Sequence, residues 1–100
     1  MSKITSSVIV HTSESIDTSI NIEDETVQIF KNINANLNEV NMTFENIVKS
    51  TIFLKNMDDF STVNSIYEKY FKSSPPARET VEVSRLPKNV NIEISVIAVK

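Results

Sequence analysis

The chain runs for 100 residues without a single glycine, where average usage would place about seven. Every motif that needs a residue without a side chain is thereby excluded: no phosphate-cradling loop, no dinucleotide fingerprint and no nucleophile elbow. Wherever the backbone must turn left-handed, asparagine is the next choice. The chain holds eleven of them, and Asn41, Asn56 and Asn89 each sit where an element should end. Abundant Asn, Ile and Lys with little Ala or Arg also matches the drift of an AT-rich genome, so composition by itself carries no function.

Length and charge narrow the classes further. A chain of this size builds one core, and the reading is a single domain over residues 1–100. Ten basic against thirteen acidic residues give a net charge of −3. The basic side chains are scattered, which argues against a nucleic-acid surface. No stretch approaches the ~18 consecutive apolar residues of a membrane span. The opening MSKITSSVIV is polar where a signal peptide would be apolar, so the expected location is the cytoplasm. The absence of cysteine removes disulfides, thiolate metal sites and thiol nucleophiles together.

Along the chain, residues 6–13 (SSVIVHTS) form a short β-branched run that reads as a strand, followed by a polar stretch through Asn21. From about Glu23, apolar residues recur at Val27, Phe30, Ile33, Leu37 and Val40. That spacing predicts an amphipathic helix ending near Asn41. Residues 47–55 read as a strand with Val48, Ser50, Ile52 and Leu54 on one face, and Lys49, Thr51, Phe53 and Lys55 on the other. Asp58 and Asp59 open a second helix with Phe60, Val63, Tyr67, Tyr70 and Phe71 as its stripe, and Pro75-Pro76 stops it. Strands at roughly 78–84 and 90–99 close the chain, joined through Leu86-Pro87-Lys88-Asn89. The order β-α-β-α-β-β calls for an α+β fold: one mixed sheet with both helices on one face. Phe53, Val81, Val83, Ile97 and Val99 then form an apolar second face that the helices cannot cover, which points to copies of the same chain as partner.

The segments VQIFKNINANL, IVKSTIFLKNMDDF, VNSIYEKYF and PARETVEVSRLPKNVNIEISVIAV together resemble the Rid family, the YjgF-type reactive-intermediate deaminases also known as the L-PSP family. The resemblance covers about residues 26–99. It implies a chorismate-mutase-like fold assembled as a homotrimer, with ligand sites in clefts between subunits. The implied chemistry is hydrolysis of enamine and imine intermediates of the 2-aminoacrylate type to 2-keto acids and ammonia, without a cofactor. Arg78 matches the family arginine that grips the substrate carboxylate, a task suited to a planar guanidinium. Glu93 matches the family glutamate near the attacked carbon, where a carboxylate can orient or deprotonate water. Ser13 aligns with a substrate-contacting serine, and Asn64 with a recurrent asparagine whose expected work is structural.

The resemblance also carries departures. The family's first strand and its Gly-Pro-Tyr stretch have no counterpart in the sequence. Glu14 stands where the family has a ligand-contacting glycine, and its side chain would crowd the pocket with a negative charge. Thr80 replaces a family cysteine. His11 is alone and reads as a packed or rim residue, and no ligand set accompanies it, so no metal is expected. Asn41-Met42-Thr43 has the form of a glycosylation acceptor but is better explained by a helix end. Tyr67, Tyr70 and Phe71 read as core rather than as a base-stacking platform. The imine deaminase is the leading reading. A non-catalytic protein that binds small carboxylates or a protein partner is the alternative, and an endoribonuclease or translation inhibitor is the weaker one.

Overall fold

The computed structural model describes residues 21–72, 75–87 and 90–100 in full and residues 7–13 as backbone. The elements follow in the order β1 (Ser7–Ser13), α1 (Ile22–Asn38), β2 (Ile47–Leu54), α2 (Phe60–Tyr70), β3 (Ala77–Glu82) and β4 (Ile92–Val99). Short 3₁₀ turns at Phe44–Asn46 and Met57–Asp59 lead into β2 and α2.

Helix α1 starts where the Asn21 side chain accepts the backbone N–H of Asp24 at 2.8 Å. Glu23, Asp24 and Glu25 fill the first turn, next to the positive end of the helix dipole. It closes on a left-handed residue, Asn41 at φ 60°. The Met42 N–H reaches the Leu37 carbonyl at 2.9 Å, and the Asn41 N–H reaches that of Asn38 at 3.1 Å. These are the two bonds of a Schellman cap, made here by asparagine in place of glycine. The tight closure turns Val40 out to solvent and drops Met42 into the core. The apolar stripe expected to end on Val40 therefore ends on Met42. Asn56 is different: its backbone is extended, and its side chain caps the turn that follows by accepting the Asp58 N–H at 2.9 Å. Asn89 lies outside the described residues.

The strands form one sheet in the order β1-β4-β2-β3. Strand β4 runs antiparallel to both β1 and β2, while β2 and β3 are parallel across the α2 crossover. The last two strands are thus not neighbours, because β4 inserts between β1 and β2. Strand β3 is shorter than expected, ending at Glu82, although Val83 still donates its N–H to the Leu54 carbonyl at 2.8 Å. In β2 the buried set is Ile47, Ser50, Ile52 and Leu54, and Val48 is 48% exposed. The expected inward Val48 is overturned by a bulge: the register against β4 slips between Ile47 and Lys49. One extra residue is left facing outward there.

Both helices cover the face formed by Ile52, Leu54, Ile92, Ile94 and Val96. Phe30 of α1 stacks on Tyr70 at 4.6 Å and meets the edges of Tyr67 and Phe71 at 6.0 and 6.2 Å. The aromatic stripe of α2 is accordingly spent on the core. Glu25 is buried as well, and its two carboxylate oxygens accept the backbone and side-chain N–H groups of Asn91, each at 3.1 Å. That clasp fixes the start of β4 and leaves neither oxygen of the buried Glu25 carboxylate unpaired. Phe53, Val83, Ile97 and Val99 lie half-buried on the opposite face, with Val81 38% exposed beside them. Among the described residues no helix is long and apolar enough to cross a membrane.

Candidate functional site

Arg78, the second residue of β3, lies opposite Ser50 of β2. Directly paired residues project from the same face of a sheet. Ser50 is fully buried beneath α2, so Arg78 also points to the helix side, and being on the edge strand it stays exposed. Its guanidinium carbon lies 4.7 Å from the ring centre of Tyr67 and 5.8 Å from that of Phe60. Its Nη1 donates to Oδ1 of Asn64. Nδ2 of Asn64 in turn donates to Oε1 of Glu68 at 3.2 Å, one helical turn along α2.

Tyr67 is held from below by a 2.6 Å hydrogen bond between its hydroxyl and that of Ser50. Burial pushes the Tyr67 phenol above its ordinary value of 10.0, against the opposing pull of the Ser50 hydrogen bond and the Arg78 charge. The ring therefore stays neutral and offers Arg78 its π face rather than a counter-charge. A cleft of about 400 Å³ opens beside the guanidinium, walled by Asn64, Tyr67, Glu68, Phe71 and the Pro75-Pro76 pair.

A guanidinium carries five N–H donors in a fixed fork. One goes to Asn64, and no carboxylate among the described residues lies within ion-pair distance of Arg78. Lys49 and Glu79 form an ion pair at 3.3 Å between two exposed side chains elsewhere. Asn64 and Tyr67 thus hold the cation in place without neutralising it, which suits the binding of an incoming carboxylate.

Glu93 lies elsewhere. It pairs with Phe53 of β2 and Ser13 of β1, and alternates with the fully buried Ile92 and Ile94. It therefore belongs to the outer face, while Arg78 faces the helices. The step from the Ser50 level to the Phe53 level adds roughly 10 Å along the strands. One copy of the chain does not bring Arg78 and Glu93 together around one small molecule. Ser13 is placed by its backbone at the same end of the sheet as Glu93, and Glu14 lies outside the described residues. Thr80 pairs with Ile52, and His11 stands opposite Ser95. Among the described residues no group of three His, Asp or Glu side chains is arranged to hold a metal ion.

Sequence reasoning kept Asn64 for a structural role, Tyr67 for the core, and did not single out Glu68. The signal was present in their spacing, because residues 64, 67 and 68 share one helix face. What the spacing lacked was the partner, since nothing in α2 announces that β3 lays Arg78 across that face.

The family model described as Endoribonuclease L-PSP matches residues 7–100. A RutC family protein of Saccharolobus solfataricus is 49% identical over 80 residues, covering 80% of this chain and 64% of the relative. The chain spans under two thirds of the length of the curated relatives it matches. Among solved structures, a protein of the conserved Rid family from Yersinia pestis is 51% identical, with a TM-score of 0.77 over 80% of this chain and 64% of that one. Escherichia coli TdcF, solved with bound serine, is 27% identical, with a TM-score of 0.85 over 99% of this chain and 84% of that one.

Proposed function

The chain belongs to the Rid family, the group described as endoribonuclease L-PSP, and on that premise we propose that it hydrolyses small 2-imino acids and their enamine tautomers to 2-keto acids and ammonia in the cytoplasm. The observation that carries this reading is Arg78, seated by Asn64 and Tyr67 beside an open cleft with no carboxylate of its own. The relative solved with serine supports it, since serine presents the same α-carboxylate that the imino acid would place on the arginine.

In the reaction, water adds its oxygen to the imine carbon while the C=N electron pair moves to nitrogen, which takes up a proton. The resulting carbinolamine expels ammonia as the C=O bond forms. Glu93 carries one proton from the attacking water to the imine nitrogen, and then the carbinolamine hydroxyl proton to the amine that leaves as ammonia. Because Arg78 and Glu93 occupy opposite faces of one sheet, the site joins two copies, Arg78 from one and Glu93 with Ser13 from the next. The uncovered apolar face supplies the contact for a homotrimer.

The test is a coupled assay in which a pyridoxal-phosphate dehydratase releases 2-aminoacrylate from serine, with keto-acid formation followed with and without the protein. The reading expects acceleration that Arg78→Ala abolishes while the fold and oligomeric state persist. Acceleration by Arg78→Ala equal to that of the wild type, or none by a well-folded wild type, would overturn it.

A further inference from the structure

Of the residues lining the described cleft, two are charged, Arg78 and Glu68. Glu68 is exposed at the cleft wall and reaches the guanidinium through a single amide, accepting from Asn64 Nδ2 at 3.2 Å while Asn64 Oδ1 accepts from Arg78. A ligand whose α-carboxylate sits on Arg78 extends its remaining atoms along a wall made of one carboxylate, Phe71 and two prolines. That wall has no cation for a second negative charge. We propose that Glu68 is the charge filter of this site, admitting 2-imino acids with neutral side chains and turning away those that carry a second carboxylate.

The inference rests on the reading of Arg78 as the carboxylate-binding group and names the substrate class for it. Glu68 has two separable effects. As a hydrogen-bond acceptor it fixes which end of the Asn64 amide faces Arg78, and as a charge it repels a second anion. Glu68→Gln isolates the second effect, because the glutamine Oε1 still accepts from Asn64 while the negative charge is gone.

The probes are L-asparagine and L-aspartate, which share shape and α-carboxylate and differ by one charge. Each is titrated into the wild type, Glu68→Gln and Arg78→Ala at low salt, with binding followed by NMR shifts. The wild type should bind asparagine about tenfold more tightly than aspartate, as expected for two unit charges about 5 Å apart in partly screened surroundings. Glu68→Gln should lower that ratio several-fold, the remainder being set by Glu93 of the neighbouring copy, and Arg78→Ala should weaken both ligands. An unchanged ratio in Glu68→Gln, with Arg78→Ala still weakened, overturns the filter and leaves the arginine reading standing. Binding of neither amino acid by the wild type, or undiminished binding by Arg78→Ala, overturns the arginine reading and the filter with it.

Discussion

Ile94 and Ile97 lie three residues apart on β4 and face opposite sides of the sheet. Ile94 is fully buried under the helices, and Ile97 is half-buried on the outer face. The same contrast separates Arg78, held over Tyr67 on the helix side, from Glu93 among the outer residues. The alternation of β4 supplies apolar side chains to both faces, but the helices cover one. A sheet that is apolar on both sides and covered on one leaves apolar surface that its own helices do not bury. The candidate site residues divide the same way, with the Arg78 guanidinium on one face and the Glu93 carboxylate on the other.

The contrast breaks first at the isoleucines. Ile94→Ala should cost about 2–5 kcal/mol, and Ile97→Ala about 1 kcal/mol, in urea titrations of dilute protein. Equal costs would erase the distinction between the faces. If copies cover the outer face, the cost of Ile97→Ala rises with protein concentration.

Next comes the buried Ser50–Tyr67 pair of the covered face. Tyr67→Phe keeps the ring under Arg78 but leaves the Ser50 hydroxyl buried without its partner, a loss of about 1–3 kcal/mol. Adding Ser50→Ala should recover part of it in a double-mutant cycle. Burial raises the phenol's pKa against the pull of the Ser50 bond, and so gives the buried Tyr67 side chain a pH signature. The unfolded chain releases the proton first, so this part of the stability is complete below pH 10.0, the ordinary value, and falls as pH rises through the folded value above it. Alkaline unfolding curves should show that slope in the wild type and lack it in Tyr67→Phe.

The smallest effect lies between the exposed partners Lys49 and Glu79, 48% and 60% accessible. A double-mutant cycle should give a coupling of about 0.2–1 kcal/mol, which added salt removes. A larger, salt-resistant value would mean that this edge of the outer face is shielded after all.

Much of this was legible in the sequence because period-2 and period-3.6 patterns report directly which side chains share a face. The order of elements, the closure of α1 by Asn41, and the two-sided apolar character of the sheet all follow from such patterns. The inward position of Val48 did not survive, because a bulge is set by the pairing of two strands and leaves no mark in either alone. The insertion of β4 between β1 and β2 was hidden for a similar reason, since local spacing carries no neighbour information. In the site, Arg78 and Glu93 came from the family resemblance, and their opposite faces came from register. The roles of Asn64, Tyr67 and Glu68 needed the packing of β3 against α2 before they could be read.

The proposed site takes Arg78 from one copy and Glu93 from another. The direct test is complementation: Arg78→Ala and Glu93→Ala proteins are co-refolded in equal amounts, mixed oligomers are verified by native mass spectrometry, and 2-aminoacrylate hydrolysis is measured. A split site predicts two inactive parents and a co-refolded mixture recovering about a quarter of the wild-type rate, since one pairing in four across the whole population reunites both intact residues. Mixed oligomers as inactive as their parents would contradict the account.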